Sequence, residues 1–327
     1  MKKIINNPHH VVTDMLIGLA KANPNVSYSE GFEVIFRKHK SAKVGVISGG
    51  GAGHEPAHAG YVGKGMLDAS VTGNVFASPS PDRILEAIQQ ADSGNGVLMV
   101  IMNYSGDNMN FQMAGELAEM EGIKVELVVV KDDVAVPDST FSTGRRGIAG
   151  TVFVNKVAGA KADQGASLSE VKAVAEKAIQ NVRSMGMAMT HCTLPGVERT
   201  ERTLADDEME IGMGIHGEPG VHRVKMLSAA ELAKRLTDDI LNDLDYTGSE
   251  VAVMVNGLGG TPLMELYILY NEVEKQLQDK NISIYKSFVG NYMTSFEMAG
   301  SSVTLLKLDD ELKELLDYPC DTPALKI

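Results

Sequence analysis

The chain has 327 residues, 44% of them hydrophobic, with 33 glycines, no tryptophan and a formal net charge of -13. The length exceeds one ordinary core, so two domains are expected, and the glycine-rich, aromatic-poor balance suits a layered α/β protein. The acidic charge argues against direct nucleic-acid binding, which needs clustered Lys and Arg. Cys192 and Cys320 make no disulfide framework and lack metal-ligand spacing. The start "MKKIINNPHH" does not read as a signal peptide, and no apolar run approaches the roughly 18 residues of a membrane span. A cytoplasmic protein is expected.

In chain order, "AKVGVISGGG" at 42–51 predicts a buried strand running into a glycine loop. "GVLMVIMNYSGD" at 96–107 predicts a second strand, with a helix starting near Met109, and 123–136 a third strand. Such runs alternating with helices point to a parallel sheet. The segment 167–185 has helical spacing and a Ser-x-x-Glu capping box at its start. Near its end lies the expected boundary between residues 1–184 and 185–327. Further strands are expected at 185–195, 209–220, 251–262 and 282–290. A helix over 261–278 would use Thr261 as N-cap and Pro262 as N1. The expected class is α/β, two domains each with a largely parallel or mixed sheet flanked by helices.

Several motifs carry possible chemistry. "HEPAH" at 54–58 fits the zinc-protease pattern, but Pro56 and the preceding glycines oppose the helix that pattern needs. A Walker loop fails at Gly63-Lys64-Gly65, and "GMGIHG" at 212–217 lacks the acidic residue of a dinucleotide fold. What remains at 49–54 is a glycine loop ending in His54, either a close backbone approach to a small polar ligand or a structural turn. His216, between glycines after a buried run, and Asp107 of "NYSGD" stand at similar strand ends, where open α/β sheets concentrate function. Together the three could form an acid/base or nucleophilic set, or belong to unrelated loops. Arg145 and Arg146 of "TGRRG" are expected to clamp Asp132 or Asp133. His9, His10, His39, His58, His191 and His222 are expected at the surface or in packing.

"SGGGAGHEPAHAGYVGKGMLDA", "NYSGDNMNF", "TGRRGIAGTVFV" and "ADDEMEIGMGIHGEPG" together resemble the dihydroxyacetone-binding K subunit of bacterial dihydroxyacetone kinase, in order along nearly the whole chain. The resemblance implies two α/β domains and a homodimer. It implies dihydroxyacetone held as a hemiaminal on His216, embraced by Gly51, Ala52, Gly53 and His54, with Asp107 bonding its hydroxyl. It also implies that His54 takes a hydroxyl proton in phosphoryl transfer. No cofactor is then expected on this chain: the nucleotide belongs to a separate subunit, recharged by the phosphotransferase system.

The sequence also departs from that pattern. Met102 stands where kinase members usually carry the lysine of "KNYTGD" or "KNYSGD", and Ala52 replaces a usual serine. "FASPSPD" and "FVNK" replace "FTSPTPD" and "FVHK". A cation beside the reacting hydroxyl would stabilise a transferring phosphoryl group, and methionine cannot. The departures favour a paralogue that binds dihydroxyacetone without phosphorylating it. Such paralogues act as coactivators with a DNA-binding regulator of the kinase operon. The alternative is a working kinase subunit with a nucleotide-carrying partner.

Overall fold

The computed structural model describes residues 3–137, 144–197 and 204–327. The chain forms two compact units. One comprises residues 2–130, 151–179 and 314–327, the other 131–150 and 180–313. The single boundary expected near 184 therefore gives way to a discontinuous division. Its physical reason lies at the C-terminus. Ala324 N donates to Gly60 O at 2.9 Å and Asp321 N to Lys64 O at 3.0 Å, so the last residues pack on the first unit. A Cβ on Gly65 would come within 3.0 Å of Cys320, so the glycines of the failed Walker match serve this packing.

The first unit has a mixed six-stranded sheet, ordered β1-β2-β4-β3-β5-β6. Its strands are β1 Val26–Ser29, β2 Val34–Arg37, β3 Gly45–Ala52, β4 Ala69–Val75, β5 Val97–Met102 and β6 Val125–Val130. β4, β3, β5 and β6 run parallel, and β1 and β2 add an antiparallel edge. Side chains alternate across a strand. Ile47, Val97, Met99 and Ile101 thus form one core with α2 (Pro81–Ala91) and α3 (Ser105–Met120), contributing Ile84, Ile88, Phe111 and Ala114. Ser48, Val100 and Met102 alternate to the other face. α4 (Thr151–Asp163) packs on β3 and β5. It is buried almost all round, and Lys156 Nζ donates to Leu315 O at 2.6 Å. A buried ion network holds the base of the sheet. Lys43 and Arg37 both pair with Asp68 and Asp163.

The second unit has a mixed sheet ordered β11-β10-β12-β7-β8-β9, in which only β10 and β11 are parallel. Its strands are β7 Val182–Ala188, β8 Glu208–Ile211, β9 His222–Lys225, β10 Glu250–Gly257, β11 Ser283–Gly290 and β12 Gly300–Leu308. α6 (Ala229–Asp243) and α7 (Leu263–Asp279) cover one face, where Leu236, Ile240, Leu266 and Val273 meet Val251, Val253, Val303 and Leu305. At α7 the cap differs from expectation. Pro262 is itself the N-cap, and the Thr261 hydroxyl instead donates to Gly300 O at 2.7 Å. The segment after Ser167 is helical as expected, α5 spanning Leu168–Asn181, with Ser167 N donating to Glu170 Oε2 at 2.8 Å.

Candidate functional site

In the first unit the glycines expected in a loop, Gly49 to Gly51, lie near the end of β3 itself, one of the two innermost strands, which runs on to Ala52 before the chain bends at Gly53 and His54. Glycine is required there by space as well as by backbone angle. A Cβ on Gly49 would strike the Val71 carbonyl, and one on Gly51 would come within 2.6 Å of Ala77 N. Gly53 adopts φ +109°, open to glycine without strain, and its N–H donates to Glu55 Oε1 at 3.0 Å. Burial raises the Glu55 carboxyl above its ordinary range, and two backbone hydrogen bonds oppose that shift. Ala52 is buried, and its carbonyl accepts from Phe76 N at 3.0 Å.

His54 follows, fully buried, its ring stacked on Phe76 at 5.1 Å between centroids and 18° between planes. His58 is also buried, and its Nδ1 lies 3.0 Å from Ser48 Oγ. Residues 54–58 form turns, so the two histidines do not share the helix face a zinc protease uses. Burial lowers the His58 pKa to about 4, which keeps the ring neutral. His9, His10, His39 and His222 are exposed and His191 is half-buried.

Met102 ends β5 and Asp107 lies in the first turn of α3, two residues beyond its first residue, where the helix dipole favours a carboxylate. Both are buried and both face Gly50. A Cβ built on Gly50 would lie 3.5 Å from Met102 Cε and 3.8 Å from Asp107 Oδ2. The structure thus brings the expected Met102 and Asp107 together at one glycine of β3. Gly50 and the stacking Phe76 were not among the expected site residues. Phe76 has φ +53°, unusual for a non-glycine residue, but no local motif announces it.

In the second unit His216 lies between β8 and β9, which are antiparallel neighbours. No helix follows the glycines, so "GMGIHG" is not a dinucleotide turn. The loop is tightly tied. Gly217 N donates to Gly214 O at 3.0 Å, Gly214 N to Glu218 O at 3.1 Å, and Gly212 and Gly217 adopt φ +78° and +80°. His216 N donates to Glu218 Oε2 at 2.9 Å, and His216 Nδ1 lies 3.0 Å from Glu218 Oε1. A carboxylate only accepts, so Nδ1 carries the proton and Nε2 the lone pair. Burial would raise the Glu218 pKa, but the hydrogen bond from His216 and the charge that ring carries when protonated, with Arg146 adding to them, hold it down to about 2.

Arg146 fixes this loop from behind. Its Nε donates to Asp133 Oδ2 and its Nη2 to Gly212 O, each at 2.8 Å. Burial pushes Asp133 up to about 6 against that pairing. The expected clamp on Asp133 is made by Arg146. Arg145 pairs with Asp243 instead, and Asp132 accepts from Ile148 N, Gly150 N and Ser184 Oγ. Thr143 of "TGRRG" lies outside the described residues. Glu218 is a partner of His216 that sequence reasoning passed over.

A family model described as the Dak1 domain matches residues 17–324. The chain belongs to the Dak1 family. A Dak1 relative from Listeria innocua, the PTS-dependent dihydroxyacetone kinase 1, dihydroxyacetone-binding subunit DhaK, is 53% identical over 99% of this chain and 100% of its own. The Escherichia coli PEP-dependent dihydroxyacetone kinase, dihydroxyacetone-binding subunit DhaK, is 41% identical over 99% of each chain. Among solved structures, the dihydroxyacetone kinase operon co-activator Dha-DhaQ superposes with a TM-score of 0.89 at 37% identity, over 95% of this chain and 96% of that one. The dihydroxyacetone kinase of C. freundii gives 0.91 at 37% identity, over 99% of this chain and 60% of that longer one. The Dak1 fold and the family expected from the motifs are thereby established, and the kinase subunits and a co-activator stand side by side among the relatives. Among the described residues, no helix is long and apolar enough to cross a membrane, and no group of three His, Cys, Asp or Glu could hold a metal ion.

Proposed function

We propose that this chain captures dihydroxyacetone as a hemiaminal on His216 and serves as a ligand-sensing coactivator of the dihydroxyacetone kinase operon, acting as a homodimer with a DNA-binding regulator. The observation that carries the coactivator reading is Met102. Its uncharged methyl group lies with Asp107 at Gly50, where the kinase pattern has a lysine.

The capture step follows from the His216–Glu218 pair. The Nε2 lone pair adds to the carbonyl carbon, and the carbonyl π electrons move to oxygen. The Nδ1 proton passes to Glu218, which releases it to solvent water as water protonates the new alkoxide, leaving a neutral ring, an ionised Glu218 and a hydroxyl. Glycerol has no carbonyl and cannot enter this step, so covalent capture separates ketone from polyol more sharply than hydrogen bonds alone. Gly51, Ala52 and Gly53 allow close backbone approach to the ligand, while His54 and Asp107 bond its hydroxyls. No cofactor is assigned to this chain.

A second reading, a working dihydroxyacetone-binding subunit of a phosphotransferase-system-dependent kinase, is favoured by the 53% identity to the Listeria innocua subunit. There His54 and Asp107 would handle the hydroxyl during phosphoryl transfer from a nucleotide-carrying partner. Both readings require the capture step. It is tested by carbon NMR of the full chain with dihydroxyacetone labelled at the carbonyl carbon. The wild type should move that signal from the ketone to the tetrahedral region, and His216→Ala should not. An equal tetrahedral signal in the variant would overturn the assignment.

A further inference from the structure

The α3 helix buries Phe111, Ala114, Gly115 and Ala118 beneath it. Its opposite face is apolar as well. Met109, Met113, Leu117 and Met120 succeed one another at steps of four, four and three, which lines them along one side of the helix. They are 65%, 48%, 38% and 85% exposed, and the stripe runs about 16 Å. Exposed Gln112, Glu116 and Glu119 run beside it, Glu121 follows, and α3 contains no Lys or Arg. A surface helix ordinarily turns polar residues outward, whereas apolar residues on both faces mark a helix with a second partner.

Charge decides what that partner is. A second copy of this chain, paired stripe to stripe about a two-fold axis, would set Glu116 and Glu119 close to their own copies. In a chain of net charge -13 that arrangement is repulsive. A DNA-binding protein is rich in Lys and Arg because it must neutralise phosphates, and it can set basic groups against this acidic rim. Three methionines give the apolar centre a surface that repacks around a partner's side chains. The stripe also begins two residues after Asp107, so one rigid element carries both the ligand-site carboxylate and the exposed face.

We infer that the outer face of α3 docks the DNA-binding regulator, taking an apolar ridge flanked by Lys or Arg onto Met109, Met113, Leu117 and Met120. The inference rests on the coactivator reading and names its contact surface. Isothermal titration of the full-length chain, saturated with dihydroxyacetone, against the purified operon regulator tests it. Met113→Lys/Leu117→Lys should weaken binding about tenfold or more. Glu116→Lys/Glu119→Lys should weaken it and flatten its salt dependence. Both variants should still give the tetrahedral carbon signal at His216, which shows that they are folded and loaded. Unchanged affinity in Met113→Lys/Leu117→Lys would overturn the surface and leave the coactivator reading standing. A wild type that does not bind the regulator would overturn both. Sedimentation showing that Met113→Lys/Leu117→Lys converts a dimer to monomers would assign the stripe to a second copy and overturn the inference.

Discussion

In the proposed capture step, Glu218 determines which nitrogen of His216 is nucleophilic. Its carboxylate accepts the Nδ1 proton and so leaves Nε2 as the basic nitrogen of the neutral ring. Glu218→Gln keeps the size but removes the proton acceptor, so the ring loses both its fixed tautomer and its relay. The rate of adduct formation with dihydroxyacetone should fall about a hundredfold, read by stopped quenching and intact mass. A rate within about twofold of wild type would show that Glu218 is only a loop tie. His216 was legible because a histidine among glycines after a buried run is an unusual pattern. Glu218 was not, because a glutamate in "GEPG" looks solvated until the loop folds it back onto the ring. Met102 closes the buried run read as a strand, whereas Asp107, expected at a strand end, lies in the first turn of α3. Their meeting at Gly50 was not legible, since sequence does not give the distance between neighbouring elements.

The β3 loop is held closed by Ser48 and His58, at its two ends, with Gly51 to His54 between them. This clasp has a pH signature. The folded His58 pKa is about 4, against about 6.5 in the unfolded chain. Between those values the unfolded chain binds a proton that the folded chain refuses, so stability falls as pH falls through that window. Relative to His58→Gln, wild type should lose on the order of 3 kcal/mol between pH 6.5 and 4, measured by denaturant unfolding at matched pH. Comparison with the variant removes the opposite contribution of Asp133, whose raised pKa favours the folded state at low pH. Equal pH dependence in both proteins would show that His58 titrates normally. Elements with clean local signals were read well. β5 is apolar throughout and β3, β6 and β10 each hold a short apolar run, and Ser167 with Glu170 marks the start of α5. α3 begins at Ser105, four residues before the expected start near Met109, because Gly106 and Asp107 read as loop. β12 was missed: Ser301, Ser302 and Thr304 interrupt its apolar pattern, yet all three are buried on the sheet. α4 was missed because residues buried all round a helix leave no 3.6-residue period.

At the scale of the molecule, two mixed α/β sheets were legible from runs, turns and length, while the route of the chain between the units was not. Segments 131–150 and 314–327 are assigned by long-range contacts that no local pattern encodes. The family follows from long motifs in order, but a kinase and a co-activator share its fold, so the proposed role rests on single positions such as Met102. The most direct test is turnover. The full-length wild type is mixed with the nucleotide-carrying and phosphotransferase subunits, phosphoenolpyruvate and dihydroxyacetone, and dihydroxyacetone phosphate is measured. With methionine rather than lysine at position 102, the rate should lie about 10²–10³ below that of a lysine-bearing kinase subunit assayed alongside. Turnover equal to that subunit would contradict the coactivator account and make this chain a working kinase subunit that tolerates methionine at position 102.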